Sequence, residues 1–133
     1  FLDIDHFKEI NDSCGHLCGD EILRQFATIL QKNIGESDYA ARYGGEEFVL
    51  VTKVVNPDQL QYIAEQIRQE VDTMNFIYED QTKHVSVSIG ALLVPPDIKT
   101  DHHQALQYVD KLLYKAKSEG RNQVVFEKME PAE

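Results

Sequence analysis

The hydrophobic pattern switches along the chain between the two-residue period of strands and the three-to-four-residue period of helices. FLDID, residues 1–5, runs from an apolar pair straight into acids, as a chain does that opens inside a strand. A natural domain rarely opens there, so the sequence is expected to be a fragment lacking a first helix and the start of its first strand. A polar, glycine-containing segment, HFKEINDSCGHLCGD, follows, and its first half is expected to form a short helix. From Asp20 and Glu21 the apolar residues Ile22, Leu23, Phe26, Ile29, Leu30 and Ile34 recur at helical spacing, and Gly35 is the expected stop. YAARY and EEFVLVT, separated by Gly44-Gly45, predict a β-hairpin.

Asn56-Pro57 reads as a cap followed by the first turn of a second amphipathic helix, with Leu60, Ile63, Ala64, Ile67 and Val71 inward. Phe76–Tyr78, a polar turn and HVSVSIGALLV predict another strand pair. In the second of these, Val85, Val87 and Ile89 alternate with Ser86 and Ser88, giving one packed face and one small polar face. Pro95-Pro96 ends it. A third amphipathic helix follows Asp101, Gly120 stands where a left-handed C-terminal cap belongs, RNQVVF is a final strand, and residues 128–133 read as a frayed tail. Alternating helices and strands place the fold in the α/β or α+β class with a mixed sheet.

At 133 residues the chain is a single domain, and 42% apolar residues suffice for an ordinary core. The net charge of −10 argues against nucleic-acid or anionic-membrane binding, since either needs a basic face. It leaves room for a small anionic substrate held by a few cations and a metal. No apolar run reaches the length of a membrane span and no signal-peptide pattern is present, so the expected compartment is the cytoplasm. Cys14 and Cys18 in CGHLC have only His16 beside them as a further zinc ligand. They are read as reduced thiols, with no disulfide expected over so short a span.

Three groups of residues carry candidate chemistry. Asp3 and Asp5 end the opening strand, where only one of the pair is expected to point to a given side, with the Ile4 carbonyl nearby, and Glu46-Glu47 crowd a glycine turn. If those strands are neighbours, the acids form a hard-oxygen site for Mg²⁺ or Mn²⁺, which would offset their repulsion. Lys117, in the last turn of a helix, and Arg121, just past its glycine, are ordinary dipole partners that become phosphate donors beside a metal. Lys8, Asn11 and Asp20 surround the first loop; an Asn and an Asp together can read a guanine edge, although each alone is an ordinary cap or turn residue.

Taken in order, FLDIDHFKEIND, GH..GDEIL, ARYGGEEF, VSVSIG and LYKAKSEGRN resemble the GGDEF domain of diguanylate cyclases, in its GGEEF form, over nearly the whole chain. The resemblance implies a five-stranded sheet wrapped by helices, related to the nucleotidyl-cyclase and polymerase palm. It implies condensation of two GTP molecules into cyclic di-GMP with release of two pyrophosphates, on a homodimer, with a sensor domain upstream. By position, Asp3, Glu46 and the Ile4 carbonyl match metal ligands, and Glu47 matches the second signature acid, tied to the metals or to the reacting 3′-hydroxyl. Gly44 and Gly45 match the turn that admits the nucleotide, Asn11 and Asp20 the guanine-reading pair, and Lys8, Lys117 and Arg121 the phosphate contacts. Many members carry an Arg-x-x-Asp product-inhibition site. Here Gly35 replaces the Arg while Asp38 remains, so that site is expected to be absent. The competing readings are a catalytically silent module that binds GTP or cyclic di-GMP, and a purely structural dimerisation domain. The full-length protein could also be membrane-anchored outside this chain.

Overall fold

A computed structural model describes residues 1–131. The elements run β1 (Leu2–Ile4), α1 (Phe7–Cys14), α2 (His16–Lys32), β2 (Tyr39–Gly44), β3 (Glu47–Val51), α3 (Pro57–Thr73), β4 (Phe76–Tyr78), β5 (Gln81–Lys83), β6 (Val87–Leu93), α4 (His102–Ser118) and β7 (Val124–Lys128). Five strands form one mixed sheet in the order β2-β3-β1-β6-β7. Short β1 lies at its centre, antiparallel to β3 and β6, while β6 and β7 run parallel with α4 as the crossover between them.

The two faces of the sheet are covered by different helices. Leu2, Ile4, Phe48, Val87 and Ile89 join Ile22 and Phe26 of α2 and Ile67 and Val71 of α3 in the main core. The Phe26 and Phe48 rings meet at 4.9 Å, the separation of a favourable tilted pair. On the other face Val109 and Leu113 of α4 pack with Val49 and Leu92. The small residues of β6 explain how closely α4 approaches. A Cβ on Gly90 would lie 2.5 Å from the Leu113 nitrogen and 2.8 Å from the Val109 carbonyl oxygen.

Local capping follows the sequence. The Asn56 side chain accepts from the Gln59 amide at 2.9 Å with Pro57 in the first turn, and Asp101 accepts from Gln104 at 2.8 Å. Gly120, at φ 127°, closes α4 with paired bonds from the Arg121 amide to the Ala116 carbonyl (3.0 Å) and from its own amide to the Lys117 carbonyl (3.4 Å).

Five expectations are corrected. α2 starts at His16, one turn before Asp20, because Cys18 is fully buried and Gly19 lets α1 pack against the helix. It ends at Lys32, since the Asn33 side chain donates to Ile29 O at 2.7 Å and to Glu70 of α3 at 3.2 Å. Phe76–Tyr78 pairs with Gln81–Lys83 in a separate ribbon, whereas the long strand after them, β6, belongs between β1 and β7. Cys14 and Cys18 are joined in a disulfide; the bend at Gly15 sets their Cα atoms 5.7 Å apart, within bridging range. Lys128 and Met129 are not frayed: Lys128 ends β7, and Met129 is buried and donates its amide to Leu93 O at 2.8 Å. Residues 132 and 133 of the expected tail lie outside the described residues.

Candidate functional site

The acids meet because β1 and β3 are neighbours. Their register places Asp3 opposite Glu47 and Leu2 opposite Phe48, so Asp3 and Glu47 share the face that α4 covers while Leu2 and Phe48 fill the core. Glu46 lies in the hairpin turn itself, and its carbonyl accepts from the Ile4 amide at 3.3 Å. Gly45 adopts φ 48°, a left-handed conformation that favours glycine, and the Arg42 guanidinium donates to its carbonyl at 2.7 Å. Arg42 thus braces the turn from within the hairpin. Sequence reasoning passed over it, although a basic residue two positions before Gly-Gly was the available signal. Gly44 ends β2 beside a register shift that follows Arg42, with open space where a side chain would stand.

Asp3 is only 4% exposed, and the Lys117 ammonium donates to its Oδ2 at 2.5 Å. Burial raises the Asp3 pKa to about 6; Lys117 opposes the rise and the charges of Glu46 and Glu47 add to it. The groups on offer to a metal are all oxygens: the carboxylates of Asp3, Glu46 and Glu47 and the carbonyl of Ile4. Among the described residues no three His, Cys, Asp or Glu side chains form a ready-made cage. Hard donors, together with a carboxyl disfavoured in its charged form by burial first and by its acidic neighbours second, fit Mg²⁺ or Mn²⁺ better than a soft metal.

A second group gathers at the bend between α1 and α2. The Asn11 amide packs over Gly19, where a Cβ would lie 2.1 Å from its Oδ1, and its Nδ2 meets His16 Nδ1 at 3.2 Å. Asn11 Oδ1 is buried with no hydrogen-bond partner in the protein. Asp20 follows Gly19 directly and is exposed, on the wall of a cavity of about 460 Å³ shared with Leu23, Arg24, Ala41, Arg42 and Phe48. That cavity lies between α2 and the signature hairpin. A cavity of about 570 Å³ elsewhere, lined by Val49, Ile63, Ile89 and Leu106 among others, contains none of the candidate groups.

The remaining positions are more scattered. Lys8 is exposed on α1, and Arg121 is exposed beyond the end of α4. Asp38 is engaged locally: its carboxylate accepts from the Gly35 amide at 2.8 Å and from the Lys53 amide at 3.3 Å. Those bonds, the Gly35 one foremost, lower its pKa. No helix among the described residues is long and apolar enough to cross a membrane.

Residues 1–123 match the family model for the diguanylate cyclase GGDEF domain. Diguanylate cyclase A of Treponema denticola is 36% identical over 127 residues, which cover 96% of this chain and 34% of that protein. The active GGEEF domain of a diguanylate cyclase from Vibrio cholerae superimposes with a TM-score of 0.81 at 34% identity, over 97% of this chain and 81% of that one. The GGDEF domain of DgcB from Caulobacter crescentus, solved in complex with c-di-GMP, gives 0.84 at 33% identity over 94% and 74% of the two chains. This chain spans 26% to 39% of the length of the first curated relatives it matches. With its mixed palm-like sheet, its acids in register at a GGEEF hairpin and the match running from Phe1 to Gln123, the chain belongs to the GGDEF domain family of diguanylate cyclases.

Proposed function

We propose that this chain is the catalytic domain of a diguanylate cyclase, which joins two GTP molecules into cyclic di-GMP. The observation that carries the reading is the pairing of Asp3 with Glu47 across β1 and β3, with Glu46 in the adjoining turn and Lys117 on the same face. Asp3, Glu46 and the Ile4 carbonyl would hold Mg²⁺ or Mn²⁺; when bound, such an ion lowers the pKa of a ribose 3′-hydroxyl and offsets charge on the leaving pyrophosphate. Glu47, half-buried at the start of β3, stands next to that position as the second acid.

The chain's own residues do the rest. Asp20 borders the hairpin cavity and Asn11 packs over the adjoining Gly19; together they would read the guanine edge, an aspartate accepting from N1–H and the exocyclic amine that adenine does not offer together. Gly44 and Gly45 leave the backbone open to the nucleotide. Lys117 holds Asp3 with one of its three donors and can turn the others to phosphate oxygens, joined by Lys8 and Arg121. The 3′-oxygen of one GTP bonds to the α-phosphorus of the other as the bond to the bridging oxygen breaks, and pyrophosphate departs; a second, reciprocal transfer closes the ring. One copy offers one GTP, so two copies must face each other, brought together by a sensor domain elsewhere in the full protein. Asp38 is committed to its local turn and Gly35 supplies no guanidinium, so product inhibition by the Arg-x-x-Asp route is absent.

The test is pyrophosphate release from GTP, with and without Mg²⁺, by the chain fused to a dimerising helix. Release that needs Mg²⁺ and falls at least a hundredfold in Asp3→Asn and Glu46→Gln is expected, on the order of a lost transition-state electrostatic contact. Unchanged activity in either variant refutes the metal assignment. GTP binding without release in the dimer points instead to a silent nucleotide-binding module.

A further inference from the structure

The second acid of FLDID has no part in the chemistry above, yet it is among the most enclosed charges in the molecule. Asp5 is 4% exposed. Its carboxylate accepts from Ser86 Oγ at 2.7 Å, from Ser88 Oγ at 2.6 Å and from the backbone amide of Asn122 at 3.0 Å. Its own amide donates to the Ser86 carbonyl at 2.9 Å, so main chain and side chain are both tied to the β6 edge. The alternating serines at the start of β6 are thereby explained: Ser86, just before the strand, and Ser88, within it, both serve this carboxylate. Among the described residues no Lys or Arg side chain pairs with Asp5; its partners are two hydroxyls and one backbone amide.

What the carboxylate holds is a strained turn. After the Gly120 cap, Arg121 at φ 64° and Asn122 at φ 49° both occupy the left-handed region that non-glycine residues disfavour. The turn is fixed from two sides. Asp5 grips the Asn122 amide from the end of β1, one residue past the strand, while from α3 Arg68 donates to Asn122 Oδ1 at 3.0 Å and Asp72 accepts from Asn122 Nδ2 at 3.2 Å. Asp5 directly follows β1, and its bond from Ser88, the residue in register with Asp3, sets both acids on one face, contrary to the expectation that only one of them points to a given side. One holds Lys117 in the last turn of α4, and the other holds the turn bearing Arg121 just beyond it.

We infer that Asp5 is a positioning residue for the triphosphate: through the backbone of Asn122 it fixes where the Arg121 guanidinium starts, and so aims that cation at the phosphates. The inference rests on the reading of Arg121 as a phosphate contact. Asp5 itself touches no substrate. A guanidinium on a loose turn must be ordered at each binding event, whereas one on a tethered turn is already placed.

The experiment compares binding of guanosine with binding of Mg²⁺–α-thio-GTP, a slowly cleaved analogue, by calorimetry. Asp5→Ala is expected to weaken α-thio-GTP binding about tenfold, the factor equivalent to 1.4 kcal/mol, and to leave guanosine affinity within about twofold. Asp5→Asn keeps an acceptor for the Asn122 amide and is expected to recover most of the loss. In an Arg121→Ala background, Asp5→Ala is expected to add nothing further. Should Asp5→Ala fail to fold by circular dichroism, Ser86→Ala, which frees the carboxylate from one of its anchors, is expected to give a smaller loss confined to α-thio-GTP. Equal losses on both ligands, or additive losses in the double variant, overturn the inference and leave Asp5 a purely structural residue. Arg121→Ala binding α-thio-GTP as tightly as the parent overturns the phosphate role of Arg121 as well; loss in Arg121→Ala but none in the Asp5 variants overturns the positioning role alone.

Discussion

Asp3 offers a quantitative test, because its surroundings work against its own charge. Its pKa in the folded chain is about 6, against an ordinary 3.8, with burial the largest cause and Lys117 the chief opposing one. A carboxyl raised in this way favours the folded state while protonated. The folded protein binds more protons than the unfolded one between these two values, so this contribution to stability is intact below pH 4 and is lost as pH rises to about 6. At pH 8 the cost amounts to about 3 kcal/mol, a sizeable part of the 5–15 kcal/mol that holds a domain together.

Asparagine is the nearest stand-in for the protonated acid. Asp3→Asn is therefore expected to match the parent near pH 3.5 and to exceed it by about 1–3 kcal/mol at pH 8, in EDTA; the lower bound allows for relaxation around the site. Lys117, with a side chain 31% exposed, stays hydrated when its partner is neutralised, so little is lost there. Urea unfolding followed by circular dichroism from pH 3.5 to 8 reads the difference directly. A variant equal to or less stable than the parent at pH 8 would refute the account of Asp3 as a crowded, buried charge. Added Mg²⁺ is expected to stabilise the parent and not the variant, and a stability gain of equal size in both would separate metal binding from Asp3.

Three further outcomes follow from the geometry. Gly90→Ala sets a methyl 2.5 Å from the backbone of α4 and is expected to cost about 1–3 kcal/mol in urea unfolding, unless α4 shifts freely, in which case the parent and variant curves coincide. Asp20→Ala is expected to reduce the preference for GTP over ATP by about tenfold in competition binding, the scale of a lost charge-assisted hydrogen bond; unchanged discrimination counts against its role at the guanine edge. Titrating the dimerised enzyme with cyclic di-GMP is expected to show little inhibition through the Gly35–Asp38 turn, and strong inhibition abolished by Asp38→Ala would contradict that reading.

What the sequence settled was local or patterned. The period of the apolar residues located α3, α4 and the signature hairpin, because burial on one face imposes that period whatever the partner is. Asn56, Asp101 and Gly120 marked helix ends correctly because caps act within a few residues. The order of short motifs carried the family and the candidate acids. Tertiary structure decided what depends on distant partners. Asn33 stops α2 by bonding to Glu70 on another helix, and β4 closes on β5 because the long strand after it is claimed by the central sheet. Asp3 and Lys117 are 114 residues apart, and Asp5 and Asn122 are 117 apart. No spacing rule links such pairs. Only the placement of β1 between β3 and β6, with α4 folded back across that face, turns two acids of a short strand into one that crowds the signature hairpin and one that holds the turn behind it.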